Sequence, residues 1–120
     1  MKILQLNHVA INVAEVERSA RFYREVLGLA PMPRPAFSFP GAWFRIGADQ
    51  ELHLIGRIPE NRDPPRERHF AFRVDSLEAA RARLERERIE YQGPQTRPDG
   101  ALQIFLRDPD GHVVELFTGP

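Results

Sequence analysis

The feature of this sequence that most constrains its fold is a short apolar stretch that occurs twice. Residues 7–13 read NHVAINV and residues 68–74 read RHFAFRV, and superimposing the two copies aligns His8 with His69. Both copies alternate apolar and other side chains, as a half-buried β-strand does. The apolar residues of each copy share one face, so both histidines point to the opposite face. A repeated strand with a repeated histidine predicts a duplicated structural unit.

A helical pattern follows each copy of this strand. In the first copy, apolar residues from Val16 to Leu27 recur at near-helical spacing, and Gly28 is placed to end the helix. In the second copy, Ser76 is placed to cap a helix whose apolar side includes Leu84. The two copies therefore share a strand–helix beginning.

Short strand candidates follow each helix, separated by clusters of Pro, Asp and Gly that suit turns. They read PAFSF, AWFRI and ELHLI in the first copy and IEYQ, ALQIFL and VVELF in the second. The polar, proline-rich stretch RIPENRDPPR predicts a linker at residues 57–66. We predict a single domain of the α+β class. It has two βαβββ modules, about residues 1–56 and 67–120, which form a cup-shaped mixed β-sheet with the helices outside.

Composition narrows the possible partners. The 120 residues hold 17 Lys plus Arg and 17 Asp plus Glu, so no global field attracts a nucleic acid or an anionic membrane. The chain has no cysteine, which excludes disulfides, thiolate metal sites and a cysteine nucleophile. The opening MKILQLNHVAINV is typical of neither a signal peptide nor a membrane span, which predicts a cytoplasmic protein.

The face opposite the apolar one collects metal-binding side chains. His8 and His69 lie there on the leading strands, and Glu115 lies there on the last strand, VVELF. The matching strand of the first copy, ELHLI, directs Glu51 and His53 to the same side. His8 and His69 are 61 positions apart, and His53 and Glu115 are 62 positions apart, so the two pairs match to within one residue. Pairing Glu115 with Glu51 would need two further inserted residues. His53 is therefore the better fourth ligand and Glu51 the alternative.

Three imidazoles and a carboxylate suit Zn²⁺, Ni²⁺, Mn²⁺ or Fe²⁺ and do not suit Ca²⁺ or Mg²⁺. Such an ion polarises a bound carbonyl or enediolate oxygen, or acidifies a bound water. Without His53, two histidines and one carboxylate form the facial arrangement of non-haem iron oxygen chemistry. A single strand histidine is more often a hydrogen-bonded core residue, but four candidates at equivalent places favour a metal site. His112 follows a turn, is expected to be exposed, and is left out.

Further side chains on the same face are candidates for substrate binding. Asn12, Arg73, Gln103 and Arg107 share the direction of the histidines, and each can hold a substrate carboxylate or phosphate. Trp43 is an aromatic candidate for the pocket wall. The alternatives are plain core packing for the tryptophan and solvent exposure for the arginines.

The residues resemble a known family, the vicinal oxygen chelate superfamily of glyoxalase I, bleomycin- and fosfomycin-resistance proteins and extradiol dioxygenases. The resemblance rests on NHVAINVAEVERSARFYREVLGL and on RHFAFRV followed by FLRDPDGHVVELF, and it spans almost the entire chain. It implies paired βαβββ modules, a divalent metal ion, a small-molecule substrate and a homodimer. It also implies ligands on the first and last strands of each module, which here are His8, His53, His69 and Glu115.

One departure from the family bears on the reaction. Well-studied glyoxalase I enzymes resemble this chain but have a glutamate where His53 stands, so simple lactoylglutathione lyase activity is not the expectation. We expect a metal-dependent, glyoxalase-like lyase, isomerase or transferase, whose ion chelates vicinal oxygens of a small substrate while Glu115 moves a proton. The alternatives are an Fe(II) ring-cleaving dioxygenase and a non-enzymatic antibiotic- or metabolite-binding protein.

Overall fold

The computed structural model describes residues 1–57 and 68–119. The chain divides into two units, Met1–Glu60 and Asn61–Pro120. Each unit contains a strand, a helical region and three further strands, so the predicted pair of βαβββ modules is confirmed. The predicted linker, apart from Arg57, lies outside the described residues. None of the helices in the two described ranges is long and apolar enough to cross a membrane.

The first unit is a four-stranded mixed sheet in the order β1-β4-β3-β2. Strand β1 is parallel to β4, and the other neighbours are antiparallel. Its elements are β1 (His8–Val13), α1 (Val16–Arg21) continued by a π-helical turn (Phe22–Val26), β2 (Ala30–Met32), β3 (Gly41–Ile46) and β4 (Gln50–Gly56).

The second unit repeats this topology in the order β5-β8-β7-β6, again with the outer leading strand parallel to the last strand. Its elements are β5 (His69–Arg73), α2 (Leu77–Arg86), β6 (Tyr91–Thr96), β7 (Leu102–Arg107) and β8 (Val113–Thr118). The Ser76 hydroxyl accepts a hydrogen bond from the Ala79 N–H at 3.1 Å, so the predicted cap of α2 is confirmed.

The core of the first unit lies on the sheet face opposite the histidines, as the alternation predicts. Leu52, Leu54 and Phe44 are buried on that face, and the Tyr23 ring from the helical region packs against the Phe44 ring at a centroid distance of 6.3 Å. Because the helical region packs on this face, it does not cover the opposite face, which carries the histidines.

Two predicted strands differ from the structure. PAFSF forms no strand, and the strand after α1 is β2, because Pro33, Pro35 and Pro40 have no N–H to donate to a sheet. IEYQ coincides with β6 only at Tyr91 and Gln92, because the strand begins at Tyr91 and continues to Thr96, with a shift of register against β7 between Gln92 and Gln95.

Candidate metal and substrate site

The first unit brings His8 and His53 together. Their rings are stacked, with centroids 4.3 Å apart and planes inclined by 19°. Strands β1 and β4 are parallel and place Ala10 beside His53, so the two histidines lie on the same face, one step apart along the sheet. Trp43 lies opposite His53 on β3, and its ring covers the imidazole at 3.9 Å with an interplanar angle of 3°. The His53 side chain is 12% exposed as a result.

Neighbouring polar groups orient both imidazoles. The Oδ1 atom of Asn7 is 3.0 Å from His8 Nδ1, and a proton held there leaves Nε2 of His8 as the metal-binding nitrogen. His53 Nε2 lies 2.8 Å from Glu51 Oε1, and Arg45 donates to the other oxygen of Glu51 at 3.5 Å. A carboxylate can only accept, so this contact places the proton on Nε2 of His53. A metal ion bound at that nitrogen would have to displace Glu51.

The second unit brings His69 and Glu115 together. His69 Nε2 is 3.2 Å from Glu115 Oε1. The Glu115 residue is 4% exposed, whereas the His69 side chain is 31% exposed. Phe105 lies opposite Glu115 on β7 and meets the His69 ring edge-on at a centroid distance of 5.5 Å. A carboxylate is therefore held in an apolar setting beside an accessible imidazole.

The strand registers show which positions are equivalent in the two units. Ala10 pairs with His53 in the first unit, and Ala71 pairs with Glu115 in the second. His8 pairs with Glu51, whose counterpart beside His69 is a valine. The structural counterpart of Glu115 is therefore His53, in agreement with the pairing that the sequence spacing predicts.

The donor atoms of the second unit fit a shared ion. Two ligands that each bind a metal at about 2.0–2.2 Å are separated by about 3 Å in tetrahedral or octahedral geometry, which suits the 3.2 Å between His69 and Glu115. Within the described residues there is no cluster of three or more His, Asp or Glu side chains able to hold an ion. The predicted four-ligand set takes two residues from each unit, and its assembly stays a prediction.

The predicted substrate-binding residues occupy the expected faces. Gln103 is buried on the Glu115 face and lies opposite Phe117, and its Oε1 atom accepts from Gln95 Nε2 at 3.5 Å. Asn12 and Arg73 are exposed near the ends of β1 and β5, on the faces of His8 and His69 respectively.

A buried aspartate that the sequence did not single out orients the last strand. Asp108 is 5% exposed, and its Oδ1 atom accepts from the N–H groups of Asp110 and His112 at 2.9 Å each. The Asp108 N–H in turn donates to the His112 carbonyl at 2.9 Å. These bonds fix the turn that leads into β8 and Glu115. They also leave His112 half-buried, so its expected exposure was wrong.

The sequence DPDG predicts this turn but not the burial of its first residue, Asp108. Asn7 and Arg45 were missed as well. Asn7 directly precedes His8, which is the only available signal. Arg45 reaches Glu51 through the pairing of β3 with β4, and the alternation of side chains within one strand contains no such information.

Residues 5–116 match the family model of the Glyoxalase/Bleomycin resistance protein/Dioxygenase superfamily. The chain belongs to this superfamily. Its resemblance to the vicinal oxygen chelate fold is thereby confirmed.

Individual relatives agree with this assignment. The chain is 30% identical to "Glyoxylase I 4" of Arabidopsis thaliana over 97% of this chain and 71% of that protein. It is 34% identical to "Glutathione transferase FosA" of Serratia marcescens over 95% of this chain and 80% of that protein. A glyoxalase family protein from Bacillus anthracis superimposes with a TM-score of 0.86, with 27% identity over 100% of this chain and 98% of that chain.

Proposed function

We propose that this superfamily member is a metal-dependent, glyoxalase-like enzyme of the lyase, isomerase or transferase type. One observation carries the proposal. Each unit places a histidine on its first strand and a second donor at the same register on its last strand, and the two side chains of each pair are in contact. Packing requirements alone would not place side chains able to bind a metal on both the first and the last strand of each unit.

We assign His8, His53, His69 and Glu115 as the ligands of a divalent Zn, Ni, Mn or Fe ion. The donor set mixes imidazole nitrogens with one carboxylate, which suits these metals. When bound, such an ion supplies a Lewis acid for two adjacent oxygens of a small substrate. The superfamily relatives include both a glyoxalase and a glutathione transferase by name, which supports this style of chemistry without choosing between the reactions.

Glu115 is the residue to which we assign proton transfer. Its carboxylate is buried, so bulk water has little access to it, and Phe105 and the His69 ring border it. Trp43 covers one face of His53 and would exclude water from that side of the site. We propose that Asn12, Arg73 and Gln103 hold polar groups of the substrate, and that the enzyme acts in the cytoplasm as a homodimer.

Elemental analysis of the purified protein tests the ligand assignment. We expect about one metal ion per chain in the wild type and loss of that ion in each of His8→Ala, His53→Ala, His69→Ala and Glu115→Ala. His112→Ala is the matched control, because it removes the remaining histidine of the chain and should keep the metal. A wild-type protein that takes up no metal under any loading condition would contradict the proposal and favour a binding protein without chemistry.

A second variant separates the proton-transfer role from folding. Glu115→Gln preserves the size and shape of the side chain but removes the proton-accepting carboxylate. We expect turnover to be lost while the circular dichroism spectrum stays that of the wild type. Full activity in this variant would rule out Glu115 as the proton-transferring group.

The contact between His53 and Glu51 favours a second candidate. If Glu51 keeps Nε2 of His53, the remaining ligands are His8, His69 and Glu115, which is the donor set of an Fe(II) ring-cleaving dioxygenase. This candidate predicts that iron survives His53→Ala and that the iron-loaded protein consumes oxygen with a catechol. Loss of metal in His53→Ala would instead support the four-ligand centre.

A further inference from the structure

The second unit contains a groove at the C-terminal end of α2. Its volume is about 820 Å³, within the range of small-molecule pockets. It is lined by Arg88, Ile89, Glu90, Tyr91, Gln92, Phe105, Leu106, Arg107 and Val113.

The groove adjoins the His69–Glu115 pair. Phe105 lines the groove, pairs with Glu115 across β7 and β8, and touches the His69 ring. Val113 also lines the groove and pairs with His69 across β5 and β8. A molecule in the groove would therefore extend along the sheet face that holds both candidate metal ligands.

Arg88 has a backbone conformation that favours glycine. Its φ angle is 58°, and it is the sole non-glycine residue with a positive φ among the residues that the structure describes. It follows Glu87, the C-cap of α2. Its N–H donates to the Glu85 carbonyl, and the following Ile89 N–H donates to the Leu84 carbonyl. The Arg88 side chain is exposed, so core packing does not account for an arginine at this position. Strain of this kind is often retained where the side chain has a function.

A second guanidinium lines the same groove. Arg107 donates from Nη1 to the Gly111 carbonyl at 2.7 Å, which limits where its guanidinium can move. The two arginines outnumber the one acidic lining residue, Glu90. The C-terminal end of a helix carries a partial negative charge, which disfavours a bound anion. Here the backbone N–H groups of residues 87–89 already bond carbonyls of the last turn of α2, so these carbonyls do not face the groove without partners.

We propose that this groove binds a compact oxyanion, a carboxylate or a phosphate, through Arg88 and Arg107. The bound group is the anionic end of the substrate, whose reacting oxygens lie toward His69 and Glu115 across Phe105. The role of the bound anion rests on the proposed function, whereas anion binding itself does not require turnover. The proposal restricts the substrate to a small anionic molecule.

The test is a titration of the ¹⁵N-labelled protein, as purified, with inorganic phosphate and separately with acetate, followed by amide chemical shifts. We expect saturable shifts at the amides of Gln92, Phe105 and Val113 with at least one of the two anions, and the tighter one identifies the preferred group. Arg88→Gly should weaken binding by about tenfold or more. Because glycine relieves the positive φ, this variant should be no less stable than the wild type, so lost binding will not reflect unfolding.

Arg83→Gln is the matched control, since it removes one positive charge from α2 at a residue outside the groove lining. It should bind as the wild type does. Unsaturable shifts with both anions, wild-type affinity in Arg88→Gly, or equal weakening in Arg83→Gln would each overturn the proposal. If the wild-type protein loads no metal but still binds the anion, the proposed function is refuted and the groove assignment stands. If the wild-type protein loads metal but binds neither anion, the groove assignment is refuted and the proposed function stands.

Discussion

The turn before β8 offers the sharpest test of the structure, through the substitution Asp108→Ala. The carboxylate of Asp108 is buried and accepts two backbone hydrogen bonds at 2.9 Å. Hydrogen bonds to charged groups contribute about 1.5–3 kcal/mol each. Because both bonds share one oxygen, we take the lower part of that range for each bond and expect a loss of about 3–4 kcal/mol in the free energy of unfolding.

Asp108→Asn is the matched comparison for this change. The amide oxygen of asparagine can accept both backbone N–H groups, so only the charge assistance is lost, at a cost of about 1 kcal/mol or less. Urea unfolding of the two variants and the wild type measures the difference. If Asp108→Ala and Asp108→Asn lose the same stability, or if neither differs from the wild type, the two bonds do not hold the turn as the structure implies.

Two further predictions concern single residues away from the donor pairs. A Cβ at Gly41 would lie 2.5 Å from the Leu54 carbonyl oxygen, a backbone atom that cannot turn away, so Gly41→Ala should lower the free energy of unfolding by about 1–3 kcal/mol in urea; wild-type stability would refute the close approach. The side chain of Arg97, and then the backbone N–H of Ala101, lower the pKa of Asp99 from 3.8 to about 2. A carboxyl group whose pKa is lowered by folding stabilises the fold at pH values above its pKa in the unfolded chain, and this stabilisation is lost as the pH falls toward about 2. Asp99→Asn should therefore flatten the decline in the free energy of unfolding between about pH 4 and pH 2. An unchanged slope would contradict this assignment.

The sequence predicted the sheets because side-chain direction in a strand has a period of two. The repeated histidine strands indicated which face is apolar, and the structure buries Leu52 and Leu54 there. The spacing between the two copies also predicted that His53 is the counterpart of Glu115, since duplicated strands keep their register.

Contacts between strands could not be predicted in the same way. The sequence placed Glu51 and His53 on one face but did not indicate that Glu51 bonds His53 and is itself bonded by Arg45 from β3. The stretch PAFSF has strand-like alternation, yet Pro35 within it and the flanking Pro33 and Pro40 cannot donate to a sheet. Alternation alone did not take that cost into account. The burial of Asp108 likewise depends on how its turn packs, and a short turn sequence such as DPDG does not determine that packing.

The face-to-face contact between Trp43 and His53 has an optical consequence. Trp43 is the one tryptophan of the chain, so all of its indole emission comes from a ring 3.9 Å from a proposed metal ligand. Any change in the charge or position of that imidazole alters the quenching of a single fluorophore. The protein thus has an intrinsic fluorescent reporter at His53, through which occupancy of the site can be followed in solution without a label.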